Sequence, residues 1–205
     1  NECIKAGITD LFLTPHYSFR RNYTVSYEEI KNRFQTLKNE VSRNNLKINL
    51  YLGSEIDETS QIHRFLESKE CHTLNDTKYI LIDFGTRKAD IDDICYELVI
   101  KGYTPIIAHP EKYTYHDGIE QMKKWKKTGA LLQLDASSLF SYGRIRKQAI
   151  LLLKNNLIDF VSSDTHKNTE TIDHFGKAFR YIERKLDKEF ATRLFITNPQ
   201  KLLEC

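Results

Sequence analysis

Apolar positions along this chain fall into two alternating rhythms. Short β-prone runs recur at 8–14 (ITDLFLT), 47–52 (KINLYL), 79–84 (YILIDF), 105–109 (PIIAH), 130–134 (ALLQL) and 157–163 (LIDFVSS). Each has the length of a strand, and none continues as a helix. Between them, apolar residues return every three or four positions. In 26–44 the series is Tyr27, Ile30, Phe34, Leu37 and Val41, which predicts a helix with one buried stripe. Ser26 followed three residues later by Glu29 matches a capping box at its start. Further helices are expected at 59–68, at 90–101 closed by Gly102, at 118–128 closed by Gly129, and at 144–155. A long one follows at 171–193, striped by Phe175, Phe179, Ile182 and Leu186, before a turn at Asn198-Pro199.

Strand alternating with helix implies a parallel sheet, and predominantly apolar strands imply burial on both faces. A closed or nearly closed α/β barrel fits better than an open dinucleotide-binding sheet, because no GxGxxG follows any strand. Six strands are visible. The opening residues, Asn1 to Gly7, read as the tail of a helix, so the expectation is a chain that enters midway through a helix, with a seventh strand before it.

Composition narrows the function classes. The chain has 205 residues, 40% hydrophobic and 29% charged, which suits a single domain over 1–205 with a sizeable core. The formal charge is +3, with Lys and Arg interleaved among acids; this argues against a nucleic-acid partner. No apolar run approaches the length of a membrane span. Cys3, Cys71, Cys95 and Cys205 lie far apart with no CxxC pair, which points away from a zinc ribbon or a disulfide framework and toward a reducing, cytoplasmic compartment.

Chemistry concentrates where the strands end. Reading those ends in order gives His16, Glu55, Asp83, His109, Asp135 and the pair Asp164/His166. In α/β barrels this end of the sheet carries the active site, and imidazole with carboxylate suits Zn, Mn or Fe. Each residue alone has a bland alternative: Glu55 and Asp135 could cap the segments that follow. Asp83 inside an apolar run is harder to explain away, since an unpaired buried carboxylate is costly. Asp164 and His166 share one side of an extended chain. In IIAHPEKY, Pro110 stops the strand so that Glu111 and Lys112 turn over the site. His63, His72, His116 and His174 fall in helices or loops and are expected in solvent. No Ser, Cys or Lys sits in a recognisable nucleophile setting, so a hydrolase built on these residues would use a metal-activated water.

The segments TPHYS, GSEI, YILIDF, IIAHPEKY and SSDTH, in this order and spacing, resemble the bacterial tyrosine-protein phosphatases of the polymerase and histidinol phosphatase (PHP) superfamily, the manganese-dependent enzymes of capsule and exopolysaccharide loci. The resemblance implies a distorted (β/α)7 TIM-like barrel, here lacking its first strand and that strand's HxH, with up to three divalent ions, Mn2+ foremost and Fe or Zn as alternatives. It implies metal ligation by His16, Glu55, Asp83, His109, Asp164 and His166, with Glu55 bridging two ions. In a hydrolysis on such a site Lys112 would help neutralise charge on the phosphoryl group, and either His166 or a metal-bound water would protonate the leaving group. Two departures stand out: Asp83 where Glu is usual, and Lys112 where Arg is common. An Arg often found after the DxH is not evident among Lys167 and Thr169 to Thr171. The implied substrate is phosphotyrosine on a protein, foremost a cytoplasmic tyrosine kinase of polysaccharide assembly, with room for an oligomer. A non-catalytic binding barrel, a histidinol-phosphatase-like enzyme and an amidohydrolase are the competing readings.

Overall fold

Six parallel strands form the main sheet of the computed structural model, which describes residues 1–57, 59, 61–85, 89–115, 118–166 and 170–204. The strands are β1 (Asp10–Leu13), β2 (His16–Tyr17), β3 (Asn49–Leu52), β4 (Glu55–Asp57), β5 (Tyr79–Asp83), β6 (Thr104–Ala108), β7 (Leu131–Asp135) and β8 (Phe160–Ser162). The main sheet runs β2-β4-β5-β6-β7-β8, and β1 pairs with β3 beside it. The α/β parallel architecture expected from the alternating pattern is present. Among the described residues no backbone ladder joins β8 to β2. Side chains nevertheless meet across that seam, His16 Nε2 lying 2.9 Å from His166 Nε2.

The first two expected strands, 8–14 and 47–52, are present as β1 and β3, and each is followed by a short strand that the pattern does not predict: β2 after a break at Thr14-Pro15, and β4 after a break at Gly53-Ser54. Pro15 has no N–H to give a ladder. Pairing crosses the break regardless, Gly53 N donating to Leu13 O and Glu55 N to Pro15 O. Gly53 packs closely there: a Cβ would lie 2.4 Å from Leu74 Cδ2 and force that side chain to move. His16 and Glu55 are therefore the first residues of resumed strands and not loop residues beyond them.

The helices are α1 (Glu2–Lys5), α2 (Tyr27–Arg43), α3 (Ile62–Glu67), α4 (Ile91–Ile100), α5 (Ile119–Thr128), α6 (Gly143–Lys154), α7 (Glu170–Lys185) and α8 (Lys188–Thr192). Ser26 caps α2 by accepting from Glu29 N. Gly102 and Gly129 take the left-handed turns after α4 and α5. The long expected helix is broken at Leu186, where Asp187 caps a new helix by accepting from Phe190 N. The Asn198-Pro199 turn is instead a short helical segment, Asn198–Gln200, which Pro permits near a helix start. None of the described helices is long and apolar enough to cross a membrane.

Strand parity sorts the core into two faces. Ile56, Ile80, Ile82, Ile107, Leu132, Leu134 and Val161 join the larger cluster with Leu98, Met122, Trp125 and Leu152 of the helices. Leu81, Ile106, Ala108, Leu131 and Phe160 form a smaller cluster on the opposite face. Register places Glu55 beside Leu81, Leu81 beside Ile106, and Asp135 beside Ser162. Hence Glu55, Asp83 and Asp135 share the inner face with that small apolar plug. Two expectations about histidines change. His72 is buried, not solvated, with its ring stacked 3.7 Å from Tyr27, and burial pushes its pKa down. His63 and His174 are half-buried; His116 lies outside the described residues.

Candidate metal centre

Glu55 occupies the middle of the inner-face polar cluster. Its Oε1 is 3.2 Å from His109 Nε2, and its Oε2 is 3.1 Å from His16 Nδ1, although that second approach is too poorly aligned to be a hydrogen bond. Donor atoms of Glu55, His109 and Asp164 all lie within 4.8 Å of one another. Asp83 closes β5 with Oδ1 3.9 Å from His109 Nδ1 and also accepts from Gly85 N. The structure thus brings His16, Glu55, Asp83, His109, Asp164 and His166 together from five different strand ends.

Local backbone geometry shows what it takes to place them. By parity with Ala108, the His109 side chain would point to the helix-covered face. Its φ of +33° turns the chain and brings the ring to Glu55. Asp164 is also left-handed at φ +45°. Such conformations cost energy in residues with a Cβ, and they persist where surrounding structure over-determines them. The last residue of IIAHPEKY supplies much of that restraint. Tyr113 is fully buried, donates from Oη to Ala108 O (2.7 Å) and accepts from Phe84 N (3.0 Å). One phenol ties the ends of β5 and β6 just beside Asp83 and His109. Sequence reasoning missed this role; a Tyr four residues past a strand-end His was the available signal.

Glu111 and Lys112 differ from expectation and from each other. Glu111 does not turn over the site but is fully buried, its Oε1 accepting from Asp135 N and Ser138 Oγ. Burial pushes its pKa up to about 7, against the pull of the Ser138 hydrogen bond. Lys112 does face the site, with Nζ 2.8 Å from both Asp135 Oδ2 and Asp164 Oδ2. Burial acts to lower its pKa, but the two carboxylates outweigh burial and raise it. The same contact holds the Asp164 carboxyl below its usual range despite burial. Asp135 also caps the 3-10 turn Ala136–Phe140 by accepting from Ser137 N, so its capping alternative is realised.

Histidine tautomers follow from partners. His166 Nδ1 lies 3.1 Å from the Asp164 carbonyl; a carbonyl only accepts, so Nδ1 carries the proton and Nε2 keeps its lone pair toward His16. A second partner that fixes the tautomer in this way is the usual arrangement for a metal-ligating imidazole. His109 Nδ1 and His16 Nδ1 are buried with no hydrogen-bond partner among the described residues. Among the described residues, four carboxylates, Glu55, Asp83, Asp135 and Asp164, cluster with the Lys112 ammonium. Orphaned imidazole nitrogens beside surplus negative charge are what a divalent cation would satisfy, and a mixed N/O donor set fits Mn, Fe or Zn. Residues 167–169, where the phosphate-binding Arg was sought, lie outside the described residues.

The fold and this donor set define a parallel α/β protein with a metal-competent pocket on the inner face of its sheet. Residues 1–204 match the family described as capsular polysaccharide synthesis, CpsB/CapC; the chain belongs to that family. It is 36% identical over 168 residues to a protein named putative tyrosine-protein phosphatase CapC of Staphylococcus aureus, covering 80% of this chain and 66% of that one. It is 28% identical to the tyrosine-protein phosphatase YwqE of Bacillus subtilis, covering 98% of this chain and 80% of that one. Among solved structures it is similar to YwqE from Bacillus subtilis and CpsB from Streptococcus pneumoniae, described as unique metal-dependent tyrosine phosphatases. That match has a TM-score of 0.82 at 27% identity and covers 92% of this chain and 78% of the other. A histidinol phosphate phosphatase from Lactococcus lactis shares the fold at TM-score 0.55 and 14% identity.

Proposed function

We propose that this chain is a metal-dependent protein-tyrosine phosphatase of a capsular or exopolysaccharide assembly system. The convergence of Glu55, His109 and Asp164 donor atoms within 4.8 Å carries the reading; membership in the CpsB/CapC family and the names of its relatives support it. Glu55, Asp83, His109, His16, His166 and Asp164 would hold the ions, with Glu55 at the centre of the set. Mn2+ is the favoured ion, with Fe or Zn as alternatives. When bound, the ions would supply Lewis acidity toward phosphate oxygens and an activated water.

The chain's own residues do the rest. Lys112, held between Asp135 and Asp164, places a fixed positive charge beside the position of Asp164, where charge on a transferring phosphoryl group can be offset. As a point charge it positions phosphate less strictly than an Arg fork. His166 Nε2 serves as a ligand through its lone pair. A tyrosine leaves as a phenoxide whose conjugate acid has a pKa of about 10, so departure needs no proton from His166, whose Nδ1–H is held by the Asp164 carbonyl. The apolar plug of Leu81, Ile106, Ala108 and Phe160 lies on the same face as the carboxylates and keeps water from their inner side.

The protein substrate would be a phosphorylated tyrosine kinase of the polysaccharide machinery, met in the cytoplasm. The test is phosphate release by the full-length protein, with added Mn2+, from a phosphotyrosine peptide and from histidinol phosphate. Turnover of the peptide is expected; turnover of histidinol phosphate alone would move the assignment to the small-molecule phosphatases, and turnover of neither would leave a binding module.

A further inference from the structure

The candidate centre opens to solvent in one direction. Side-chain exposure rises from 7% at Glu55 and 12% at His109 to 28% at His16 and 58% at His166. At that exposed edge three rings stack in series, with His16 in the middle. His166 stacks on His16 with centroids 5.2 Å apart at 29°, and His16 stacks on Tyr23 at 6.4 Å and 23°. Tyr23 ends the series half in solvent, 52% exposed.

Its position is fixed by the strand that carries Glu55. Ser18 N donates to Tyr23 O (3.0 Å) and Tyr23 N to Ser18 O (2.8 Å), closing residues 19–22 into a tight loop. Asn22 takes the left-handed turn at φ +57°. The loop is clamped to Asp57, which is buried two residues beyond Glu55 on the same face of β4. Ser18 Oγ donates to Asp57 Oδ2 at 2.5 Å, and Arg21 Nε lies 3.1 Å from the same oxygen. Glu55 and the Tyr23 ring are therefore held in register through one three-residue strand. A half-exposed aromatic ring adds little to the core, yet here it lies against His16 on a loop tied to the strand of Glu55.

We propose that Tyr23 is the residue that recognises the aryl group of the substrate: the phenyl ring of a phosphorylated tyrosine stacks on Tyr23 while its phosphate occupies the cluster below. Tyr23 is a specificity residue and takes no part in bond making. The proposal rests on the phosphotyrosine reading of the site and is tested by binding, so that it stands or falls separately. Full-length wild type, Tyr23→Phe and Tyr23→Leu are titrated calorimetrically, with Mn2+ present, against a peptide bearing phosphonomethyl-phenylalanine and against methylphosphonate. Aromatic stacking of this kind predicts that Tyr23→Leu weakens the aryl phosphonate roughly three- to tenfold, while Tyr23→Phe and all methylphosphonate affinities stay within about twofold of wild type. In turnover the same variant should raise KM for a phosphotyrosine peptide with kcat little changed. Tyr23→Leu binding the aryl phosphonate as wild type does, losing both ligands equally, or a wild type that binds the two ligands alike would each overturn the proposal. Failure of the wild type to hydrolyse phosphotyrosine would instead refute the activity, leaving the binding series to decide the role of Tyr23.

Discussion

Replacing Tyr113 with Phe removes one oxygen and should reach both stability and the metal site. The ring is 1% exposed, so the substitution keeps its packing, including the parallel stack on Tyr115 at 5.7 Å. What is lost is the acceptor for Phe84 N at 3.0 Å and the donor to Ala108 O at 2.7 Å. Each buried backbone group left unpaired costs about 1–3 kcal/mol, partly offset because the hydroxyl no longer needs desolvation, so the net loss is about 2–3 kcal/mol. With a urea m-value of about 2–3 kcal/mol/M, the midpoint of unfolding should fall by about 1 M at unchanged slope. Because the two freed groups flank Asp83 and His109, Mn2+ affinity should also fall by about tenfold, as for other residues that orient ligands. A midpoint shift below about 0.3 M would refute the claim that this hydroxyl carries two buried bonds. A full stability loss with unchanged metal affinity would show that the tie does not position the ligands.

Two further predictions concern protons. The His109 pKa is raised from its ordinary 6.5, since hydrogen bonding to Glu55 and the nearby carboxylates outweigh burial and Lys112. A raised folded pKa means the imidazolium–Glu55 pair stabilises the metal-free fold below pH 6.5 and is lost as pH rises through the folded value. Metal must displace that proton, so Mn2+ affinity should rise with pH across the neutral range, with proton release visible as a buffer-dependent calorimetric enthalpy; pH-independent affinity would contradict it. Glu111→Gln keeps the acceptor for Asp135 N and Ser138 while removing a charge whose pKa burial raises from 4.5 to about 7. Chelated protein should gain about 1–3 kcal/mol at pH 8 and less than about 1 kcal/mol at pH 5, because the folded wild type must shed a proton that the unfolded chain lost earlier; equal gain at both pH values would refute the assignment.

Much of this architecture was legible from pattern because its causes are local. Ser26 and Glu29, Gly102 and Gly129 cap their helices through contacts a few residues apart, and the apolar runs of β5 to β8 are strands that lie buried on both faces. The polar residue at each strand end was readable for the same reason: a carboxylate or imidazole interrupting an apolar run needs a partner. What escaped were effects set by distant neighbours. Gly53 packs against Leu74, some twenty residues away, whose side chain occupies the space a Cβ would take. His109 reaches the inner face only through a left-handed backbone that its own residue type does not announce. Glu111 looked like a surface acid beside Lys112, and its burial depends on Ser138 and the Asp135 amide across the sheet. Tyr23, in a polar loop, gave no signal until its ring lay against His16.

The central claim is that Glu55 organises a divalent-metal site shared by residues from separate strand ends. Titration of Mn2+ into metal-stripped full-length protein, followed by electron paramagnetic resonance, tests it most directly when wild type is compared with Glu55→Gln. Gln preserves shape but supplies no charge to His109 Nε2, 3.2 Å away, or to His16 beside the other oxygen. The account predicts tight uptake by wild type and a loss of affinity of about tenfold or more in the variant. Uptake by Glu55→Gln equal to wild type would contradict it.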